Sequence, residues 1–161
     1  MAVGLRAPVE PMMDKFFDRL LMLKHSRVFA SVPLEDLRVV AEQLQDEAYV
    51  AGEEVFCRGD IADRMYIVQS GRIVIMLDAA GNHVASTLGQ GEAFGEMALF
   101  DSQPRSATAR VIEDAELLSL NREKLHDLLL SYPHIALGLL QGMSLRLRDA
   151  NNALHAKKEN R

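Results

Sequence analysis

Tryptophan is absent from this 161-residue chain, cysteine occurs once, proline five times, and no long apolar run interrupts it. Each scarcity removes a class of protein. A single thiol, Cys57, cannot close an internal disulfide and cannot by itself assemble a zinc or iron–sulfur centre, so it reads as a small half-buried strand residue of a cytoplasmic chain. The uncharged apolar stretches fall far short of the ~20 residues that a bilayer span needs, and the N-terminus lacks a charged-then-apolar export pattern. Basic clusters are missing too. No run of Lys and Arg exceeds Lys157-Lys158 and the formal net charge is −5, which counts against nucleic-acid binding driven by counterion release. An anionic ligand must therefore be held by a local arrangement of groups, not by the overall field. The histidines (His25, His83, His126, His134 and His155) are scattered, with no H-x-H pair. A metal enzyme on a β-roll needs two or three histidines converging with a carboxylate, so no catalytic residue, metal ligand or cofactor is expected.

What is present reads as one globular domain, 48% hydrophobic and 25% charged with both signs interspersed. Seven of the ten glycines fall between Gly52 and Gly95, and no proline occurs between Pro33 and Pro104. Turn-rich, proline-free sequence of this kind predicts a run of short strands. Residues 1–11, with Gly4, Pro8 and Pro11, read as a flexible leader, and residues 158–161 as a tail. Over 12–45 two helices are expected, the first with Phe16, Phe17, Leu20, Leu21 and Leu23 on its apolar face, the second from about Pro33 to Leu44. From 46 to 120 the runs Met65–Val68 and Ile73–Leu77, separated by Ser70-Gly71, are apolar on both pleat faces. Strands of that kind lie between a second sheet and flanking helices, and the turn spacing favours a jelly roll. Over 121–157 the chain is helical again: Asn121 reads as an N-cap, Ser131-Tyr132-Pro133 as a break, and Ala136, Leu139, Met143, Leu147, Ala150 and Leu154 as the stripe of a long last helix.

The chemistry concentrates in residues 91–110, GEAFGEMALFDSQPRSATAR. A helical turn opening at Glu96 would leave the amides of Met97 and Ala98 free to bind an anion, with Gly95 permitting close backbone approach. Arg105, returning on the next strand, offers a bidentate clamp to the same anion. A carboxylate beside a phosphate would be repelled, so Glu96 suits a sugar hydroxyl, held there by a nearby cation. The alternative from spacing alone is an ordinary Glu96–Arg105 ion pair.

This stretch resembles the phosphate-binding cassette of the cyclic-nucleotide-binding domain family, which includes the catabolite activator protein and the regulatory subunits of cyclic-AMP-dependent kinase. The matching residues are Phe94-Gly95-Glu96, Ala98, Leu99 and Pro104-Arg105-Ser106-Ala107-Thr108, supported upstream by Gly52-Glu53-Glu54-Val55-Phe56, Gly59-Asp60, Met65–Val68, Ser70-Gly71 and Phe29–Pro33. It covers roughly residues 12–157 and implies a mainly β fold with flanking helices: an eight-stranded jelly-roll-like β-roll, N-terminal helices, and a long C-terminal helix serving as lid or dimer seam. It further implies that Glu96 accepts from the ribose 2′-hydroxyl, that Arg105 clamps the cyclic phosphate, and that Gly95, Met97, Ala98 and Ala107 bring backbone groups to both.

The base is read elsewhere. Ser106 resembles the bacterial, cAMP-responsive type, and its hydroxyl suits either the phosphate or a purine edge. Ser86 falls where a base contact is expected or is a solvent-facing strand serine. Asn151 and Asn152 sit where a lid would reach the base, or are polar residues near a fraying helix end. The resemblance thus implies a non-enzymatic sensor of cAMP, with cGMP as the other ligand. It would act through helix movement, a homodimer or an unidentified protein effector, without nucleic acid or membrane contact of its own. The alternatives are the sensor portion of a transcription regulator lacking its DNA-binding domain, and a ligand-free dimerisation module.

Overall fold

Two long antiparallel strands form the spine of the structure, a computed structural model that describes residues 12–78 and 82–159. In chain order the elements are α1 (Met12–His25), α2 (Leu34–Ala41), β1 (Gln45–Tyr49), β2 (Glu54–Phe56), β3 (Arg64–Met76), β4 (Val84–Leu88) and β5 (Ala93–Phe94). A 3₁₀ turn (Glu96–Leu99), β6 (Thr108–Asn121), α3 (Arg122–Ser131) and α4 (Pro133–Glu159) follow. The sheet order is β1-β6-β3-β4, with β2 also on β6 and β5 also on β3, and every pairing is antiparallel.

Six strands stand among the described residues where eight were expected, and Gly71 supplies part of the reason. The sequence suggested a turn there. Instead β3 runs through it, with the β3–β6 register slipping between Val68 and Ile73 and Gly71 at φ 85°. A Cβ at this position would lie 2.3 Å from the Asp114 carbonyl oxygen, so only glycine fits the bulge. A bulge bends a strand without ending it, and two apolar runs become one element. Along its other edge β6 pairs with β2 near Ala109 and with β1 from Ala115 to Ser119, which rolls the sheet.

The two-faced character of β3 is borne out. Met65 and Ile67 point into a core with Leu118 and Leu120 of β6 and the helical residues Leu23, Phe29, Leu37, Leu125 and Ile135. Tyr66, Val68 and Ile73 point the other way, into the roll, with Phe94, Val111 and Leu117. Fully burying each of these large side chains contributes about 1.5–3 kcal/mol, so both faces of one strand carry stability. In α1, Leu20 and Leu23 are buried while Phe17 and Leu21 remain exposed, which narrows the expected stripe. α2 is shorter than expected and ends at Ala41, although Leu44 beyond it is still buried.

Asn121 caps α3 by accepting from the amides of Glu123 and Lys124, and the helices break at Tyr132 as expected. α4 seats its first half on the body through Ile135, Gly138, Leu139 and Gly142. From the expected stripe Leu139 is buried, but Met143, Leu147, Ala150 and Leu154 are exposed. Residues 1–11, the expected leader, lie outside the described residues, as do most of the turn at Ala80-Gly81-Asn82 and residues 160–161 of the expected tail. Among the described residues no single helix is long and apolar enough to cross a membrane.

Candidate functional site

Gly95 leaves β5 in the left-handed conformation, φ 71° and ψ 16°, and turns the chain into the short helix Glu96–Leu99. A side chain there would be strained, and its Cβ would also lie 2.6 Å from Nη1 of Arg105. Leu99 anchors the turn in the helical core and Ala98 is buried beneath it. The Ala98 amide is not free as the sequence suggested, because the turn tightens and it donates to Gly95 O at 3.3 Å. Arg122, at the start of α3, ties the turn down from outside by donating to the carbonyl of Asp101 at 2.9 Å and to that of Ala98 at 3.5 Å.

The chain then returns to Arg105, whose backbone is fastened to the Gly59-Asp60 turn. Its N–H donates to Asp60 O at 2.9 Å, and its carbonyl accepts from Gly59 N at 2.8 Å. The Arg105 side chain is only 7% exposed. It donates to two carbonyls, Gly95 O at 3.3 Å and Arg64 O at 2.7 Å, while Nε has no partner among the described residues. Its guanidinium carbon lies 4.0 Å from the centre of the Phe56 ring, in an aromatic cluster completed by Tyr66 and Phe94. Burial pulls the pKa of Arg105 down, against the negative charges of Asp63 and Asp60, yet an arginine stays charged in proteins. A buried cation bonded only to neutral carbonyls is costly unless an anion completes it.

Glu96 does not pair with Arg105. Its Oε1 accepts from Nη2 of Arg146, on α4, at 2.5 Å. The ordinary ion pair that spacing allowed is therefore absent, and each charged residue has a separate partner set.

Glu96 and Arg105 line a cavity of about 350 Å³. The structure brings together there Ser86, Gly95, Glu96, Met97, Ala98, Arg105, Ser106 and Ala107 of the residues singled out from sequence. Phe56, Ala62, Ile75, Leu88 and Gln103 join them, so apolar side chains and charged ones share the lining. Ser86 and Ser106 are exposed at its rim. Asn151 and Asn152 do not line it; they stand exposed on the outer half of α4. A larger cleft of about 750 Å³ opens between α1 and β1 but includes none of the cassette. Among the described residues no group of three His, Cys, Asp or Glu could hold a metal ion.

Sequence reasoning missed Arg122 and Arg146, and it named Phe56 only within the upstream resemblance, not at the site. Arg146 left a trace in the sequence: it continues the inward stripe Ile135, Leu139, Gly142 of α4 as its one charged member.

Comparison with known proteins identifies the family and the fold. The family model described as "Cyclic nucleotide-binding domain" matches residues 46–132. The cyclic AMP receptor protein of Thermus thermophilus is 34% identical over 131 residues, covering 80% of this chain and 61% of that protein. Lysophospholipase nte1 of Aspergillus fumigatus is 33% identical over 101 residues, 62% of this chain but 7% of the enzyme. Among solved structures, the N-terminal domain of a transcriptional regulator from Streptomyces coelicolor superposes with a TM-score of 0.73 at 29% identity, covering 82% of this chain and 96% of that one. The chain spans about three fifths of the length of the first curated relatives it matches.

Proposed function

The chain belongs to the cyclic nucleotide-binding domain family, and on that footing we propose that it is a non-enzymatic sensor whose cavity takes cAMP in preference to cGMP. One observation carries the reading. The buried guanidinium of Arg105 has carbonyl partners but no carboxylate among the described residues, and it lines a cavity that Glu96 also lines. A cyclic phosphate supplies the missing negative charge, and the ribose 2′-hydroxyl supplies a donor for Glu96. Gly95, Met97, Ala98 and Ala107 shape the backbone between them. Ser106 and Ser86 at the rim are the groups placed to favour adenine, and the apolar wall of Ile75 and Leu88 receives the flat base.

The output is proposed to pass through α4, by movement or by self-association. Support comes from its exposed face. Leu137, Leu140, Ser144, Leu147, Asn151 and Leu154 alternate steps of three and four, and the four leucines are 60% to 63% exposed. That is the spacing of a coiled-coil seam, in which an inward-facing asparagine fixes the register of two copies. Asn151 thereby serves a homodimer rather than the base. A cytoplasmic location and an unidentified protein effector complete the proposal, and no cofactor enters it.

A second reading is favoured by the partial coverage of the curated bacterial relatives: the chain is the sensor portion of a longer transcription regulator. The site chemistry is the same in both.

Calorimetric titration with cAMP and cGMP tests the sensor. Micromolar or tighter binding of cAMP is expected. Arg105→Ala should weaken it by about tenfold to several hundredfold, because hydrogen bonds to charged groups contribute about 1.5–3 kcal/mol. Absence of heat with both nucleotides would leave the ligand-free dimerisation module as the surviving reading.

A further inference from the structure

Cysteine and methionine sulfur meet different surroundings in this chain. The half-buried thiol of Cys57 donates to Oε2 of Glu54 at 2.7 Å, and Oε1 of the same carboxylate accepts from Nη2 of Arg110. The bond to Glu54 keeps the thiol protonated and pushes its pKa up, and a protonated thiol is a poor nucleophile toward oxidants. A thioether has no proton to lose, so access to its sulfur decides its oxidation. Among the methionines whose side chains the structure describes, Met65 and Met76 are buried and Met22 packs against the helical core, while Met143 is 41% exposed and Met97 65%. Met97 also lines the nucleotide cavity. Its carbonyl accepts from the amides of Phe100 and Asp101, both at 3.1 Å, so its backbone is pinned. A solvent-accessible thioether thus stands on a fixed turn, next to Glu96 and on the lining of the cavity.

Resting on the cyclic-nucleotide reading of the cavity, we infer that Met97 is a reversible oxidation site through which hydrogen peroxide lowers ligand affinity. The sulfur gives an electron pair to one peroxide oxygen. The S–O bond forms as the O–O bond breaks, and the departing hydroxide takes the proton of the transferred oxygen and leaves as water. Sulfur is oxidised, and the peroxide reduced, by that one electron pair. A polar sulfoxide then replaces an apolar side chain. Its oxygen carries partial negative charge on a lining that has to hold an anionic phosphate. Lost apolar contact and added repulsion both oppose binding. The converse also holds: a ligand that covers Met97 shields its sulfur, so occupancy slows the oxidation.

Timed exposure of the full chain to hydrogen peroxide, followed by peptide mass spectrometry and calorimetry, tests the assignment, with thermal melts confirming that each sample is folded. Oxygen should appear on Met97 ahead of Met143, and last on Met65, Met76 and Cys57. Saturating cAMP should slow uptake at Met97 severalfold and leave Met143 nearly unchanged. Protein oxidised at Met97 should bind cAMP roughly tenfold more weakly, and methionine sulfoxide reductases with dithiothreitol should restore the affinity. Met97→Leu, which can take no oxygen there, should bind equally before and after peroxide, whereas Met143→Leu should lose affinity as the wild type does. Faster uptake at Cys57 or Met143, no protection by cAMP, undiminished affinity after oxidation, or an equal loss in Met97→Leu overturns the assignment while the nucleotide reading stands. Unoxidised wild type that binds no nucleotide overturns both.

Discussion

The Arg105 guanidinium rests 4.0 Å from the centre of the Phe56 ring, inside the molecule and on the wall of the cavity. An aromatic face attracts a cation through its quadrupole, and more strongly where water is excluded. Phe56 therefore offsets part of the cost of keeping a cation ready before any anion arrives, and it fixes the plane of the guanidinium.

Replacing Phe56 by leucine keeps apolar bulk and removes the ring face. Such contacts are worth about 0.5–2 kcal/mol, so cAMP affinity should fall by roughly two- to thirtyfold. Isothermal titration measures it. An affinity equal to the wild type would show that the carbonyls of Gly95 and Arg64 suffice to orient Arg105.

Gly95→Ala meets two obstacles at once, a left-handed backbone and the Arg105 Nη1 atom 2.6 Å from the new carbon. The conformational part alone costs about 1–2 kcal/mol, equivalent to a melting temperature lower by about 2–8 °C for a chain of this size. Displacement of the guanidinium should weaken ligand further. Differential scanning calorimetry with and without cAMP reads both effects.

Acid should destabilise the sheet through Glu47. Burial works to raise its pKa, but the Ser119 hydroxyl, the Tyr49 phenol and the Arg64 guanidinium more than offset this, and the net shift is downward. A carboxyl with a lowered folded-state pKa stabilises fully above its ordinary value of 4.5 and loses that contribution as pH falls through the folded value. Urea unfolding at pH 7 and at decreasing pH below 4.5 should show a stability loss that Glu47→Gln makes shallower. An identical slope in the variant would assign acid sensitivity to other groups, such as Asp63, whose bonded Arg64 likewise lowers its pKa.

The α4 seam predicts a dimer. Leu140→Asp together with Leu147→Asp places charges at two inner positions of the heptad and should give a monomer in sedimentation velocity, with cAMP affinity within a few-fold of wild type. A wild-type monomer at high protein concentration would remove self-association from the proposal.

The reach of the sequence follows from distance along the chain. Helices, the capping Asn121 and the glycine-led turn at Glu96 are local, and periodicity or a residue type at one position announces them. The two-faced strand was legible for the same reason, since alternation lies within a few residues. Gly71 misled because a glycine between two apolar runs has the same signature whether it makes a turn or a bulge; only its register against β6 distinguishes them. Glu96 and Arg105 were legible as residues but not as partners. Their actual neighbours, Arg146, Phe56 and the Arg64 carbonyl, come from three other elements, and no spacing rule connects them. Asn151 shows the same limit in reverse: its chemistry suits a purine edge, but it stands exposed on the outer half of α4 and does not line the cavity.

From Arg146, its last hydrogen-bonded tie to the body among the described residues, α4 continues thirteen residues to Glu159. At 1.5 Å per residue the outer segment forms a rigid arm about 20 Å long. Rotation at the inner end is multiplied in proportion to that length: a pivot of about 10° sweeps the tip through about 3 Å, close to the width of an atom. A displacement too small to matter at the cavity wall becomes, at the far end of the helix, the difference between side chains that interlock and side chains that miss.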